Sequence, residues 1–405
     1  PKHSTLVTCI GATIGKTAFS RIDGTCNQQI NAIIPNSLFN NKWIYFLMIS
    51  PEMQNLIIES SSSTTLPILN NVLIKAVDNK VMLITTNLDM AIVNYLGVAD
   101  SKNGEITVPA RLLADFVSNL PKGEVKLSGD DSKLTVSSGK YKSIFNGAPA
   151  EDFPELPDIN ESESVIYRMS VEAFKTGINE VKIAASSDTT RPALTGVYFN
   201  TYEGDLYIAA TDGYRLAERM FIEKVESDVK AIVPSSCLID VLGAVSDNMN
   251  EIEIVFDNSQ VRFRLGEIEI TSKLIDGSFP DYRRLIPEKV GVDIKMSKVE
   301  LLRIVKLAAL FSRGVGGSII CEAKSSSQTF SVSSVANEFG ENASDLEAEI
   351  LADGKVILNS RYLIDVINVI EEENLTFGIS GKLAPVVIRN EKSNNYTHII
   401  MPLKS

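Results

Sequence analysis

The sequence Ala209-Ala210-Thr211-Asp212-Gly213-Tyr214-Arg215-Leu216-Ala217 decides the fold, because it marks the middle copy of an internal repeat. The apolar run at residues 206–210 predicts a buried strand. Asp212-Gly213 is typical of a tight turn, since glycine adopts a positive φ angle without steric cost. Alternation then resumes and predicts a second strand, with Arg215 on the face opposite Tyr214 and Leu216. Alone, the stretch predicts only an ordinary β-hairpin.

A repeat of about 125 residues organises the chain from Thr65 onward. Asp115, Asp240 and Asp365 follow one another at intervals of 125 residues. Around each aspartate, four apolar residues lie at positions i, i+3, i+4 and i+7, which forms one apolar face of a helix. These sets are Leu113, Phe116, Val117 and Leu120; Leu238, Val241, Leu242 and Val245; and Leu363, Val366, Ile367 and Ile370. The same spacing separates Pro67 from Pro192 and Thr86 from Thr211.

The repeat predicts an α+β fold with three domains, each with two helices backed by antiparallel sheet. Each repeated helix follows a short strand and precedes alternating strands, as at residues 261–265. A second helix opens the later copies at about residues 170–185 and 297–311. We therefore predict a segment at residues 1–64 and domains at residues 65–163, 164–292 and 293–405.

Composition narrows the class of protein. The 405 residues carry a net charge of −12, which argues against a uniformly basic nucleic-acid binder but not against a local basic stripe. Cys9, Cys26, Cys237 and Cys321 show no paired spacing, so reduced thiols and a cytoplasmic location are expected. The longest apolar run, residues 43–49, is too short for a membrane span, and no membrane association is predicted.

Residues 11–17, Gly-Ala-Thr-Ile-Gly-Lys-Thr, suggest a phosphate-binding loop at first sight. That loop needs four residues between its first glycine and the Gly-Lys pair, so that successive amides surround the phosphates. Only three residues separate Gly11 from Gly15. The spacing therefore argues against a nucleotide site.

A hydrolase or transferase is the main enzymatic alternative. The chain has only two histidines, His3 and His398, and neither lies near a nucleophile motif. Its cysteines and histidines show no metal-ligand spacing. We therefore predict no catalytic residues, no metal and no cofactor.

The repeated chain resembles the bacterial DNA polymerase III sliding clamp (beta subunit) over about residues 65–405. The motifs that carry the resemblance are Thr65-Leu66-Pro67-Ile68-Leu69-Asn70, Val108-Pro109-Ala110-Arg111, residues 209–217, residues 278–287 and Ile400-Met401-Pro402-Leu403. In that family, two three-domain subunits close head to tail into a ring around duplex DNA. The resemblance implies a homodimeric, non-catalytic processivity factor that tethers the replicative DNA polymerase to DNA.

Basic residues on the opening helices are the candidate DNA contacts. A tether that slides cannot read base edges, so it should touch phosphates through scattered lysines and arginines. The pattern also fits a solvated basic face, and the resemblance favours the DNA-facing role. The predicted residues are Lys175, Lys182, Arg303, Lys306 and Arg313, to which the resemblance adds Arg111 and Arg191.

The resemblance also implies a pocket between the second and third domains for short peptides of the polymerase, the clamp loader and repair proteins. Apolar side chains with a flexible methionine suit a site that accepts several peptides. By themselves, residues 401–403 also fit a plain strand end. The second domain supplies Leu194, Thr211, Gly213, Tyr214, Arg215, Leu216, Pro280, Arg284 and Leu285. The third supplies Asn359, Tyr362, Leu383, Pro385, Ile399, Met401 and Pro402.

Residues 1–64 resemble part of a target-recognition domain from a type I restriction–modification specificity subunit. The motifs are residues 11–16 and Asn27-Gln28-Gln29-Ile30-Asn31-Ala32-Ile33. A sequence-specific DNA-recognition subunit and a non-functional chimera are therefore the alternative functions. The first clamp domain should lack its opening strand and helix. A short helix at residues 51–60, capped by Ser50, would stand in their place.

Overall fold

The computed structural model describes residues 4–8, 16–20, 23, 30–34, 41–50, 53, 66–130, 132–157, 159–160, 164–287, 290–312, 316–334, 340–393 and 395–403. The chain forms two compact units, Pro1–Leu156 and Pro157–Ser405. Antiparallel strands predominate over helices in both units. This agrees with the predicted α+β class.

The first unit begins with a small antiparallel sheet and one helix. Strands β1 (Thr5–Thr8), β2 (Thr17–Phe19) and β3 (Ile30–Ile33) pair in the order β2-β1-β3. Helix α1 (Asn41–Met48) contacts β1 and β2, and its Tyr45 ring meets Phe19 edge-on. The predicted helix at residues 51–60 lies outside the described residues except for Met53, which is helical. The Met53 amide donates to Ser50 Oγ at 3.3 Å, as expected for a capping serine.

The rest of the first unit holds the first repeat. Its strands are β4 (Asn71–Val77), β5 (Lys80–Thr86), β6 (Met90–Gly97), β7 (Gly104–Pro109), β8 (Lys126–Asp130), β9 (Lys133–Ser138) and β10 (Tyr141–Asn146). Helix α2 (Ala110–Ser118) follows β7, as the repeat predicted. Strands β6-β5-β4-β7 and β10-β9-β8 are antiparallel neighbours in these orders. Their buried side chains contribute to two core clusters, one with Val108, Leu113 and Phe145 and the other with Leu73 and Ile84.

The second unit holds the second and third repeats in three antiparallel sheets. One sheet region has the order β11 (Val165–Ser170), β16 (Glu251–Phe256), β17 (Gln260–Leu265), β18 (Ile268–Lys273). A nine-stranded sheet has the order β15 (Lys230–Pro234), β12 (Gly196–Tyr202), β13 (Asp205–Thr211), β14 (Arg215–Ile222), β27 (Tyr396–Ile400), β26 (Val386–Asn390), β25 (Asn374–Ile379), β19 (Val292–Ser297), β23 (Glu349–Ile350). The last sheet has the order β22 (Asn342–Glu347), β21 (Thr329–Ser334), β20 (Ser318–Lys324), β24 (Gly354–Asn359).

Within the described part of the second unit, four helices pack on these sheets. They are α3 (Val171–Lys182), α4 (Ser235–Ala244), α5 (Lys298–Phe311) and α6 (Ser360–Val369). Helices α3 and α5 begin where the sequence predicted. The Ser170 side chain caps α3 by accepting from the Ala173 amide, and the Ser297 side chain caps α5 by accepting from the Glu300 amide. Helix α3 ends at Lys182 instead of residue 185. The chain continues there as a tighter turn, in which the Ala184 amide donates to the carbonyl of Val181.

The 125-residue repeat is confirmed in the hydrogen bonds of its turns. The Thr211 hydroxyl donates to the carbonyl of Arg215 at 2.7 Å and accepts from the Gly213 amide at 3.1 Å. In the first repeat, Thr86 makes the same two bonds to Met90 and Leu88, at 2.9 and 3.1 Å. Gly213 has the predicted positive φ, 88°, and Leu88 takes a similar value, 75°. One turn geometry therefore recurs with different sequences.

The repeated apolar helix face differs between copies. In the third repeat, Leu363, Val366, Ile367 and Ile370 are all fully buried. In the first repeat, Val117 is 42% exposed, which contradicts its predicted place in the core. Val117 lies in the last turn of the nine-residue helix α2, and the core cluster includes Leu113 and Phe116 but not Val117. The shorter helix leaves its final apolar position uncovered.

Candidate functional site

The candidate pocket forms where a strand of the second repeat pairs with the last strand of the third. In the ladder between β14 and β27, Leu216 lies opposite Ile399 and Arg215 opposite Ile400. The next backbone bond joins the Met401 amide to the Tyr214 carbonyl at 2.8 Å. Antiparallel pairing therefore brings together predicted pocket residues that are far apart in the sequence.

Arg215 connects the two repeats through its side chain. Its Nε donates to Asp212 at 3.0 Å and its Nη1 donates to Asp365 of helix α6 at 2.7 Å. The guanidinium also lies over the Tyr362 ring, 4.5 Å from the centroid. Only 11% of the Arg215 side chain is exposed. Arg215 thus faces α6 while Leu216 faces the opposite side, as the alternation predicted.

An apolar cluster lies at this strand pair and is covered by the segment between β18 and β19. We call residues 278–287 the linker segment. Tyr282 of this segment packs with Ala209, Leu216 and Ile399 in one buried cluster. Phe279 and Ile286, also from the linker segment, pack against the cluster, and Phe279 stacks on Tyr198 with ring centroids 4.8 Å apart. Sequence reasoning missed Tyr282, although an aromatic ring two residues after Pro280 was a usable signal.

Four large apolar residues of the predicted pocket are exposed. Tyr214, Leu285, Leu383 and Met401 are 65%, 53%, 68% and 37% exposed, which is high for large apolar side chains. The Arg284 side chain is 86% exposed and pairs with Asp281, Nε to Oδ2, at 2.7 Å. Gly213 and Pro280 are also exposed. Such a surface can change its packing when a ligand covers it.

Several predicted pocket residues serve the fold. Thr211 is buried in its turn, and Asn359 caps helix α6 by accepting from the Arg361 amide at 2.9 Å. Leu194 is buried in a 3-10 turn and is not a member of the apolar cluster. Pro385 and Pro402 are half-buried. The residues that the described contacts bring together are therefore Tyr214, Arg215, Leu216, Tyr362, Ile399 and Met401.

A buried polar network lies beside this strand pair. Arg219 of β14 bonds Glu180 of α3, and the Tyr396 hydroxyl donates to the Glu180 carbonyl at 3.1 Å. Burial raises the pKa of Glu180 to about 7, although the charge of Arg219 opposes this shift. Burial, with the nearby charge of Arg215, lowers the pKa of His398 to about 3. His398 is therefore neutral at physiological pH and is a buried residue of strand β27. The network joins distant parts of the chain, and no sequence pattern identified it.

The predicted DNA-binding residues occupy helix surfaces. Lys175 of α3 and Arg303 and Lys306 of α5 are exposed, while Phe174, Ile178 and Val181 of α3 are fully buried. Lys182 is half-buried, and burial lowers its pKa. Arg191 and Arg111 are exposed, Arg191 before the 3-10 turn Pro192–Leu194 and Arg111 on α2. Arg313 lies outside the described residues.

Three family models match the chain in order. The models for the N-terminal, central and C-terminal domains of the DNA polymerase III beta subunit match residues 52–157, 168–281 and 283–404. The chain belongs to the DNA polymerase III beta sliding clamp family. The first match begins before Thr65, the residue at which the sequence resemblance to a clamp began.

Individual clamps match most of the chain. The beta sliding clamp of Staphylococcus aureus is 28% identical over 357 residues, covering 85% of this chain and 94% of the relative. That of Staphylococcus epidermidis is 29% identical over 360 residues, with the same coverage. The solved sliding clamp of Bartonella birtlesii bound to griselimycin is 28% identical with a TM-score of 0.79, covering 85% of this chain and 94% of that one. The clamp fold is therefore established.

The described residues also exclude two features. No helix there is both long and apolar enough to span a membrane. No group of three or more histidine, cysteine, aspartate or glutamate side chains within the described ranges is arranged to hold a metal ion.

Proposed function

We propose that the chain acts as a sliding clamp that holds duplex DNA topologically and tethers the replicative polymerase to it. The observation that carries the proposal is the exposed basic surface of α3 and α5 on a chain of net charge −12. Lys175, Arg303 and Lys306 would meet phosphates without reading bases, which permits sliding. Half-buried Lys182 would contribute less, and Arg111, Arg191 and Arg313 remain predicted contacts.

Retention on DNA tests this proposal. Protein loaded on nicked circular DNA should be retained and should be lost when the circle is linearised. The double variant Lys175→Glu/Arg303→Glu should lose affinity for phosphates and show a shallower dependence of binding on salt. The matched control is Lys230→Glu/Lys295→Glu, in which two exposed lysines of the nine-stranded sheet change by the same charge. Equal retention on open linear DNA, or equal effects of both variants, would contradict the proposal.

We propose that the pocket around Leu216, Ile399 and Met401 binds short peptides of the polymerase, the clamp loader and repair proteins. The apolar cluster with an exposed methionine beside it supports this assignment. The other pocket residues of the sequence analysis, including Leu194, Asn359, Leu383 and Pro385, stay predictions.

Titration of a fluorescein-labelled peptide, with a glutamine followed by apolar residues, tests the pocket. Met401→Ala should weaken binding by about 1–3 kcal/mol, because it removes an apolar contact at the strand end. Leu351→Ala is the control, since Leu351 is 87% exposed and lies outside the pocket. Unchanged affinity in Met401→Ala would reject the assignment.

We propose a homodimer for an intact clamp of this sequence. Strand β8 lies at the edge of its sheet with all five residues exposed, and Leu307 and Leu310 of α5 are 42% and 56% exposed. Free strand edges and exposed leucines are suited to pairing with another chain. In a completed chain, in which the residues before Thr65 are replaced by a strand and a helix, sedimentation should show that Leu310→Glu weakens dimers and that Leu383→Glu, at an even more exposed leucine, does not. A monomeric completed chain, or equal effects of the two changes, would contradict this proposal.

We propose that the first clamp domain lacks its opening strand and helix. Phe221 in the second repeat is 8% exposed and packs against Phe174 of helix α3. The residue 125 positions earlier, Leu96, is 41% exposed, so no helix within the described residues covers it as α3 covers Phe221. Replacing the residues before Thr65 by a strand and a helix should convert monomer or aggregate into dimer in sedimentation. An equally tight dimer from both chains would reject the idea.

We further propose that residues 1–64 are a fragment of a restriction specificity subunit joined to the clamp. The Staphylococcus aureus clamp matches 85% of this chain, and the N-terminal family model begins at residue 52, so the support for the fragment lies in the residues before position 52. Sequencing single long DNA molecules across the codons for residues 60–70 would show whether the join is genomic. A continuous clamp gene there would contradict it.

We propose a non-catalytic, cytoplasmic role. His398, with its pKa near 3 and no exposed surface, cannot serve as a general base at neutral pH. Purified protein should neither cleave DNA nor hydrolyse nucleotides, and turnover that persists through purification would refute this.

A further inference from the structure

The linker segment divides into residues that attach it and residues that it presents. Tyr282 is 3% exposed, and Phe279 and Ile286 pack on the same cluster. Arg284 and Leu285 project into solvent. The segment therefore holds two candidate pocket residues on a short turn whose position depends on its attachments.

Arg283 is the polar attachment of this segment. Its guanidinium carbon lies 3.9 Å from the ring centroid of Tyr202 and 4.2 Å from that of Tyr207. Its Nη2 lies 3.1 Å from Oε2 of Glu218, a buried carboxyl of β14. Two aromatic faces and one carboxylate hold the planar cation from different directions, which fixes its position as well as its charge.

The attachment reaches both sides of the pocket. Glu218 is two residues beyond Leu216 on β14, so both side chains lie on the same face of the strand. In the linker segment, the Ile286 amide donates to the Arg283 carbonyl at 3.1 Å, which closes a turn around Arg284 and Leu285. A shift of Arg283 would therefore move the two exposed residues relative to Leu216.

We propose that Arg283 is a positioning residue for peptide binding. It holds the linker segment against β12, β13 and β14 so that Leu285 meets an apolar side chain of the bound peptide. Arg283 itself stays in its aromatic site and does not touch the peptide. This inference rests on the peptide pocket proposed above and assigns that pocket a residue outside its predicted members.

A double-mutant cycle tests the inference with the same fluorescein-labelled peptide. Arg283→Met should weaken binding about tenfold, because the side chain keeps its length and loses the attraction to the rings and to Glu218. Leu285→Ala should give a loss of similar size. The double variant should be no weaker than Leu285→Ala alone, because Arg283 acts through Leu285. Arg283→Lys keeps the cation and should recover part of the affinity.

The outcomes separate the inference from the pocket on which it rests. If the wild type does not bind the peptide, the pocket is wrong and the inference fails with it. If the wild type binds but Arg283→Met binds equally well, or if the two losses add, only the positioning role is overturned. Far-UV circular dichroism checks the fold of each variant. Should Arg283→Met not fold, Tyr202→Leu removes one ring and should weaken binding about threefold; unchanged binding in that variant overturns the inference.

Discussion

Arg215 and Arg284 form a natural comparison, because each pairs with an aspartate three residues earlier but in a different environment. The Arg215 side chain is 11% exposed and also bonds Asp365, whose side chain is 31% exposed. The Arg284 side chain is 86% exposed, and in the described contacts it pairs only with Asp281. Breaking a buried pair costs about 3–5 kcal/mol, and the partial exposure of Asp365 reduces this. We expect Arg215→Met to lower the free energy of opening of the β14–β27 ladder by about 2–4 kcal/mol. An exposed pair contributes about 0–1 kcal/mol, so Arg284→Met should change little.

Native-state hydrogen exchange of the β14 and β27 amides measures this opening free energy directly. A loss of about 2–4 kcal/mol corresponds to exchange faster by roughly thirtyfold or more, since about 1.4 kcal/mol equals a factor of ten. The rates in Arg284→Met should stay within about fivefold of wild type. Similar rates in both variants, or a change below about threefold in Arg215→Met, would refute the argument that this arginine joins the two repeats.

Three further predictions concern the packing around two glycines, the raised pKa of the Glu180 carboxyl and two buried cysteine thiols. Gly177→Ala should destabilise the protein by about 1–3 kcal/mol in urea, because an added Cβ would lie 2.6 Å from the Phe221 ring. In Gly243→Ala the added Cβ would meet no atom within 4 Å, so this change should stabilise the protein by about 0.5–1 kcal/mol. A more stable Gly177→Ala than Gly243→Ala would contradict the packing described for the two glycines. Burial raises the pKa of Glu180 from its ordinary value of 4.5 to about 7 in the folded protein. Between pH 4.5 and pH 7 the folded protein therefore binds more protons than the unfolded chain. The free energy of unfolding should therefore fall by up to about 3 kcal/mol as pH rises through this range. In thermal unfolding, Glu180→Gln should make this dependence of stability on pH weaker. An unchanged dependence would reject the raised pKa of Glu180. Burial raises the pKa of Cys237 and Cys321 to about 12. Mass spectrometry should therefore find that iodoacetamide at pH 8 alkylates neither thiol until urea is added. Rapid alkylation of the folded protein would contradict their burial.

The repeat and its turns could be predicted from the sequence because they depend on local patterns. Asp212-Gly213 determines its own turn, where Asp212 Oδ1 accepts from the amides of Tyr214 and Arg215 at 2.9 Å each. The capping serines Ser170 and Ser297 likewise marked the starts of their helices. Periodicity failed at Val117, where burial depends on the length of the helix and not on its pattern.

The site could be predicted only in part, because its contacts depend on the order of the strands. The Arg215–Asp365 bond spans 150 residues and the Tyr396–Glu180 bond spans 216. Neither partner can be inferred until β14 is known to lie beside β27. The spacing of Asp365 identified it as a repeated residue but gave no reason to pair it with an arginine. The aromatic site of Arg283 could not be predicted for the same reason. Tyr202 and Tyr207 come from two strands, and Arg283 comes from the linker segment.

The ladder between β14 and β27 also determines how the second unit responds to force. Five paired positions, from Arg215 opposite Ile400 to Arg219 opposite Tyr396, join strands from the matched central and C-terminal domains. A load directed along these strands must shear all five positions together, whereas a load at the two-residue edge strand β23 breaks only a short ladder. The unit should therefore be mechanically stiff along its strands and should peel first at β23.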